Sequence, residues 1–578
     1  MYKLQVMDLF AGAGGLSNGF EQTNKFEVKI AAEINENARK TYQQNHTSVT
    51  SFPKDITKIE FKNKNGTLKD EYQDIDVIIG GPPCQGFSNA NRQKNTLISS
   101  NNQLVKEYLR AIEDIKPKAF VMENVKTLES EKHKFFVTED EETILSELDV
   151  EYFDEYINIG PLTKNSNSLK SFLVNSYKNK DDLTPYLLNK ELLTKLNSLL
   201  RHVKKQSENA LKDFLSKENN NKYFKRILSN KWQEMHKKFF DDAYESTWND
   251  LYTILGKILE DDEFNINDLT NTLEDVIETQ RIINKISELI QNNIMLYRDI
   301  LGDIINITGD NFEIYIKSYN VFSYIKAKVK SLGYKVNEKQ YIFNTANYGV
   351  PQERKRLILI GVLEEELKVE EVKIPEPIFE NPGDYNKIFD AIGDLEKLPP
   401  STFVGDDEMH RGEFNSLVEN NLNQYLNNNS NNMVYNHVRT ESREMAQKRF
   451  ESLTAGQNFH DLDDSLKSTY SDHSRTQNTI YKRLDYNKPS DTVVNVRKSM
   501  WIHPKLNRAI SIREAARLQS FQDSYKFYGT KDSQYQQVGN AVPPLMARFV
   551  AESLLESLGI EIKIKIKDII SPKMLCNK

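Results

Sequence analysis

KLQVMDLFAGAGG, residues Lys3 to Gly15, is a short apolar run that ends in a turn dense in glycine. A helical stretch follows from Leu16. FEVKIAAEI (26–34) reads as a second strand and NENARKTYQQN (35–45) as a second helix. DIDVIIGGPPC (74–84) is a third strand that ends in a Gly-Pro turn. NQLVKEYLRAIEDI (102–115) is a helix, and KAFVMENV (118–125) a fourth strand. Strand-helix alternation of this kind predicts a mostly parallel, doubly wound α/β sheet. In such sheets ligands bind at the carboxyl ends of the strands.

The pattern is interrupted from about Ser130 to Phe322. That stretch is rich in Lys, Asn, Glu and Leu, with helical spacing at Leu192, Leu196, Leu199 and again at Val276, Ile283, Ile286 and Ile290. It predicts a largely helical insertion over 130–322. The α/β pattern resumes with SYIKAKVKSLGY (323–334), KQYIFNTANYGV (339–350) and RLILIGVL (356–363). An acidic, Pro-containing linker follows at 364–385. Residues 366–507 mix Asn-rich loops with short strand candidates such as DTVVNV (491–496), which predicts a smaller, irregular domain. SIREAARLQSF (511–521) and PPLMARFVAESLLESL (543–558) read as helices. IEIKIKIK (560–567) alternates as an edge strand with one wet face would. The expected division is 1–129 and 323–365 for the sheet domain, 130–322 for the insertion, 366–507 for the smaller domain, and 508–578 for a return to the sheet.

The 578 residues are 38% hydrophobic and 28% charged, ordinary for a globular protein and long enough for more than one core. No stretch is apolar for long enough to span a bilayer, and the first residues lack the pattern of a signal peptide. No membrane association is expected, and a reducing cytoplasm is the natural reading of two cysteines, which also exclude a Cys-rich zinc site. The net charge of −7 argues weakly against nucleic-acid binding, but such a contact needs only a local basic surface. Between Arg475 and Arg508 there are eight Lys/Arg against two acids.

Four stretches carry candidate chemistry. The DLFAGAGG turn (8–15) permits close backbone approach by a nucleotide-like ligand, and Glu33, at the end of the next strand, is placed to bind ribose hydroxyls. In GGPPCQGFS (80–88), Cys84 lies at a strand end, stiffened by two prolines. A lone cysteine is usually a small buried hydrophobe, but this setting favours a reachable nucleophile. Glu123, in FVMENV, follows apolar residues; taken alone it reads first as an acid that caps a helix or pairs with a Lys, while desolvation there would instead keep a proton available for donation. Arg354 and Arg356, in PQERKRLILIG, alternate ahead of a strand and are expected on one side of it; a basic strand edge is the default reading, and paired Arg that hold a phosphate or a base carbonyl the other.

Taken in order, DLFAGAGGLSNGF, GGPPCQGFS, ENV, GVPQERKR, REAARLQSF and QQVGNAVPP resemble the C5-cytosine DNA methyltransferase family. The resemblance covers about residues 1–128, 323–362 and 480–556. It implies S-adenosylmethionine as cofactor, double-stranded DNA as substrate and no metal. Phe10 would stack on the cofactor adenine, with Gly12 and Gly14 approaching its methionine part. Glu33 would bind its ribose and Asp55, in KDIT, its adenine amino group. Leu104, Asn540 and Val542 would complete that pocket. Cys84 would attack cytosine C6, Glu123 would serve N3, and Arg354 and Arg356 the base carbonyl and nearby phosphate. The target base must leave the stack to be reached. Residues 366–507 would form a target-recognition domain, with Thr492, Arg497 and Lys498 at the DNA.

Two departures stand out: Asn101, in ISSNNQL, occupies a position where the family pattern has arginine, and the insertion is long. The Asn- and Lys-rich composition suggests an AT-rich bacterial genome, and hence a bacterial modification enzyme; a monomer is expected, and a separately acting restriction endonuclease is compatible with the sequence but not indicated by it. Methylation of tRNA is the first alternative, disfavoured because no Cys-Phe-Thr signature is present and the recognition segment is ample. A non-catalytic DNA-binding protein is the second, disfavoured because Cys84 and Glu123 are retained.

Overall fold

The computed structural model describes residues 2–83, 102–130, 133–204, 211, 214–215, 217–298, 302–405, 408–410, 420–428, 430–470 and 476–570. Cys84 and Asn101 lie outside the described residues, as does Arg475. The described residues form two compact units, the first within 2–83, 103–130 and 328–570, the second within 133–327.

The first unit begins with β1 (Leu4–Leu9), α1 (Gly15–Glu21), β2 (Phe26–Ala32), α2 (Glu36–Asn45), β3 (Val77–Gly80), α3 (Asn102–Ile115) and β4 (Ala119–Val125). β2, β1, β3 and β4 lie side by side and parallel. Every residue of β3 is buried, as expected where helices cover both faces of a parallel sheet. The register aligns Leu9 with Ala32 and Gly80, and Gly80 with Met122. The turns that leave β1, β3 and β4 therefore open along one edge.

The second unit holds the expected helices, among them Ser166–Asn179, Lys190–Val203, Asp242–Glu260 and Ile266–Gln291. Leu192, Leu196, Leu199, Val276 and Ile277 are buried together in their core. It also holds a five-stranded antiparallel sheet: β5 (Lys134–Phe136), β6 (Tyr152–Pro161), β7 (Leu296–Tyr297), β8 (Ile305–Thr308) and β9 (Asn311–Asn320). β9 alternates with period two, burying Phe312, Ile314 and Ile316. This short alternation is masked in the sequence by the longer helical runs before it.

Back in the first unit, β10 (Tyr334–Val336), β11 (Ile342–Asn344) and β12 (Lys355–Leu363) complete the sheet in the order β10-β12-β4-β3-β1-β2, with β11 on β12. β12 runs antiparallel to β4 and pairs Ile358 with Glu123. Residues 366–507 are irregular, with short helices such as Asn421–Asn427 and Glu444–Ser452. They have a small core around Phe450, Phe459 and Tyr481, while Leu422, Val438, Val493 and Trp501 enter the core of the sheet.

Two strand expectations are corrected. DTVVNV is not a strand: the Val493 N–H donates to the Gln352 side chain at 2.6 Å and its carbonyl accepts from Arg354 at 3.1 Å, so side chains replace a partner strand. IEIKIKIK is not a strand either. Ile560 and Ile562 pack against the main core, and the helix Ile566–Ile570 begins where the Ile566 N–H meets Glu552 at 2.8 Å.

The helix Pro544–Ser557 closes the domain on α1. A Cβ on Gly15 would lie 2.2 Å from the Val542 carbonyl oxygen, and one on Gly19 would lie 2.4 Å from the Ala547 Cβ. Four residues apart, both glycines share one face of α1. Gly19→Ala should therefore lower unfolding stability by about 1–3 kcal/mol in chemical denaturation, the usual cost of overpacking. An unchanged midpoint would show that the two helices can separate freely.

Candidate active site

The glycine turn after β1 is held from three sides. Phe10 takes φ +60°, unusual for a bulky side chain, and Gly12 and Gly14 take +55° and +87°. The Gly12 N–H donates to Glu33 Oε2 at 2.9 Å, and Glu33 Oε1 accepts from the Asn35 N–H at 2.6 Å. The Glu33 N–H reaches the Pro53 carbonyl at 3.3 Å, which brings the segment before Asp55 alongside. Nothing lies within 4 Å of where a Gly12 Cβ would be, so this face of the turn is open to a ligand. Ile34, next to Glu33, is 73% exposed. An apolar residue so exposed at a strand end, beside an acid that binds a turn, offers a flat ligand a surface. The sequence reading passed over it because it ended an otherwise apolar run.

Asp55 Oδ1 accepts from the Thr57 N–H at 3.1 Å and from its hydroxyl at 2.7 Å, and these bonds hold its carboxyl below the ordinary range. Leu104 is half-buried in the first turn of α3. Asn540 ends the helix Lys531–Asn540, exposed, accepting from Gln536 at 2.8 Å. Val542 is half-buried, with its carbonyl against Gly15.

Beneath the turn, Asp8 is fully buried, accepting from the Ser17 hydroxyl at 2.5 Å and the Tyr42 hydroxyl at 3.0 Å. Burial pushes its carboxyl up to about 7, against those two bonds.

At the other strand ends, Glu123 and Arg356 form an ion pair, Nε to Oε1 at 2.9 Å, each mostly buried. Glu123 also abuts the backbone that leads to Cys84: a Cβ on Gly81 would lie 3.1 Å from Glu123 Oε2. The Asn124 side chain donates to the Pro82 carbonyl at 2.9 Å, tying β4 to the same loop. The acid, the arginine and the approach to the cysteine are thus brought together.

Arg354 and Arg356 part company. Arg354 is 3% exposed, and its Nη1 donates to the carbonyls of Val493 (3.1 Å) and Gly539 (3.0 Å). Burial lowers its pKa to about 9, with repulsion from Arg356 a second cause. Arg354 lies just ahead of β12 in irregular backbone, so the alternation expected of a strand does not hold there. Gln352, also buried, donates to Gln519 at 2.7 Å. Thr492 donates to the Glu353 carbonyl at 3.0 Å. Arg497 and Lys498 are exposed on the helix Val496–Ser499, with Arg497 paired to Asp532 at 3.0 Å.

Residues 4–296 and 314–556 match the family model described as C-5 cytosine-specific DNA methylase. This chain belongs to that family. Its reaction is methylation of carbon 5 of cytosine in DNA. Among similar proteins, the Type II methyltransferase M1.HphI of Haemophilus parahaemolyticus is 24% identical, over 96% of this chain and 87% of its own. The Type II methyltransferase M.DdeI of Desulfomicrobium norvegicum is 24% identical, over 95% and 88%. A crystal structure of a candidate DNA modification methyltransferase encoded within an E. coli prophage shares the fold, with a TM-score of 0.50 and 19% identity over 96% of this chain and all of that one. Among the described residues no group of His, Cys, Asp and Glu is arranged to hold a metal, and no helix is long and apolar enough to cross a membrane.

The Asp8 environment gives a pH prediction for this DNA methylase. An acid whose folded pKa lies above its unfolded value binds an extra proton when folded, so its contribution falls as pH rises from about 4 to about 7 and is flat beyond. Relative to Asp8→Asn, wild-type stability should decline across that window by up to about 1.4 kcal/mol per pH unit. Parallel stability curves for the two proteins would refute the assignment.

Proposed function

We propose that this enzyme methylates cytosine within a specific double-stranded DNA sequence, with Cys84 as nucleophile and S-adenosylmethionine as methyl donor. The observation that carries the reading is the meeting of Glu123, Arg356 and the Gly81–Pro82 backbone, two residues before Cys84. The glycine turn suits the donor: an open face at Gly12, a carboxylate at Glu33 and exposed Ile34 fit a nucleoside, and Phe10, Asp55, Leu104, Asn540 and Val542 would complete its pocket. When bound, S-adenosylmethionine supplies a sulfonium methyl, the electrophile that this chemistry requires.

Cytosine C5 is a poor nucleophile. Attack of the Cys84 thiolate on C6 of a flipped-out base forms a C–S bond and makes C5 enamine-like. Glu123 holds a proton at N3, which stabilises that electron-rich ring. Arg356, through its bond to Glu123, orients the carboxyl and offers its remaining N–H groups to the base carbonyl. Once C5 is methylated, loss of the C5 proton and expulsion of the thiolate restore aromaticity. Arg354 acts behind this group, holding the segments that carry Val493 and Gly539. Thr492, Arg497, Lys498 and the irregular residues 366–507 serve DNA positioning and base readout. We infer further that the enzyme works as a monomer in a bacterial cytoplasm, where a companion endonuclease would act on the same sequence.

Cys84→Ser should reduce methyl incorporation into duplex DNA by at least about a thousandfold. Glu123→Gln should reduce it by about a hundredfold or more. Wild type should form a covalent adduct with DNA carrying 5-fluorocytosine at its target. Undiminished transfer by Cys84→Ser, or preferred methylation of tRNA over duplex DNA, would reject this reading.

A further inference from the structure

Ala13 sits between two glycines with left-handed backbone, Gly12 and Gly14. Within the turn, the Gly14 N–H bonds the Ala11 carbonyl at 2.9 Å, and the Ala13 carbonyl is left facing the interior. It accepts there from the Tyr525 hydroxyl, which arrives from 512 residues further along the chain. Tyr525 is 4% exposed, and burial holds its phenol well above its ordinary pKa, so it remains a donor.

With its one proton given to Ala13, the Tyr525 oxygen accepts from His46 Nε2 at 3.1 Å, and His46 Nδ1 meets Glu21 Oε2 at 2.6 Å. His46 is 2% exposed and lies against Tyr42, with ring centroids 4.2 Å apart. The two polar atoms also fill the space beside Gly14. A Cβ there would lie 2.4 Å from His46 Nε2 and 2.6 Å from the Tyr525 oxygen.

We propose that Tyr525, oriented by His46 and through it by Glu21, is a positioning residue that fixes the backbone of the 10–15 turn for cofactor binding. The inference rests on the reading of that turn as the S-adenosylmethionine site. A turn with two glycines has many accessible conformations. Its recognition of a ligand depends on backbone groups being aimed before the ligand arrives. The Tyr525–Ala13 bond pins the one carbonyl between the two flexible residues, from a part of the chain that returns only after the insertion and residues 366–507. Removing the hydroxyl leaves that carbonyl buried and unsatisfied, which the turn can relieve only by moving.

The test uses full-length Tyr525→Phe. In the cofactor-free protein, amide hydrogen exchange across residues 10–15 should quicken by about tenfold, with β3 and β4 unchanged. The dissociation constant for S-adenosylmethionine, measured by calorimetry, should rise by about tenfold, while kcat at saturating donor stays within about twofold of wild type. His46→Gln, which keeps the phenol but loses its support, should shift both readouts in the same direction by a smaller factor, and it carries the test if Tyr525→Phe does not fold. Glu21→Gln, whose amide N–H can donate to Nδ1 of a neutral His46 that keeps its proton on Nε2, should stay close to wild type. Unchanged exchange across the turn overturns the proposal, as does exchange that rises equally through the sheet. Faster exchange at the turn with unaltered donor affinity would uphold the positioning role and reject the turn as the cofactor site.

Discussion

The Val542 carbonyl occupies the space in which a side chain on residue 15 would begin. That close approach is the constraint on which the catalytic unit depends. α1 starts at Gly15, directly after the glycine turn, and the last long helix reaches it only because residues 15 and 19 have no Cβ to oppose it. The contact joins the two ends of a domain that the chain leaves at Ser130 and re-enters at Lys328. A parallel sheet cannot be closed by neighbouring hairpins, so an element from elsewhere must cover each face. Here the covering helix comes from the far end of the sequence. Anything inserted between the two ends is tolerable as long as they still meet, and this accounts for the size of the interruption without requiring that it take part in the chemistry.

A second seam follows from the first. Gln352 and Arg354 lie beside residues 490–494 and 538–540, three segments widely separated in the chain. None of the three contacts is a regular ladder. The Val493 N–H is satisfied by the Gln352 amide, its carbonyl by Arg354, and the Val538 carbonyl by the Gln519 amide at 2.9 Å. Buried backbone groups must find partners. When side chains supply them, the geometry is set by a few long polar residues, and each must be the right length. This seam lies behind the Glu123–Arg356 pair. Arg356 can face the strand ends because Arg354, two residues earlier, is committed to the interior.

These relations explain what could be read in advance. The strands β1 to β4 and the placement of Glu33 and Glu123 at their ends were legible because period and turn chemistry are local, as at Gly12 and Pro82. The position of Arg356 at the start of the strand that follows was legible for the same reason. The separate fate of Arg354 was not, since two arginines two apart look equivalent until the carbonyls of Val493 and Gly539 are known to be near. DTVVNV has the composition of a strand but no partner strand, and composition does not report partners. IEIKIKIK alternates, yet Ile560, Ile562 and Ile566 find a core to pack on without any neighbouring strand, and Ile564 is left exposed. β9 alternates just as plainly, but it follows long helical runs whose stronger signal decided the reading of the whole stretch. Tyr525 and His46 gave no signal at all, because their meaning lies in a contact between residues 46, 525 and 13.

The net charge is a further case in which a global quantity misleads until it is divided. Residues 131–327 contain 25 Lys and Arg against 34 Asp and Glu, which leaves 52 against 50 in the rest of the chain. The negative sign of the protein therefore belongs to the insertion. Binding to DNA is governed by cations that displace condensed counterions at the phosphates, and acids in the same surface oppose it. Within that segment, residues 201–238 alone carry 11 Lys and Arg against four acids, so its average, like that of the whole chain, says nothing of a local basic surface. The near-neutral remainder needs only to gather its bases on one face. The charge that at first counsels against nucleic acid instead divides into an acidic insertion and a near-neutral remainder that carries the family motifs.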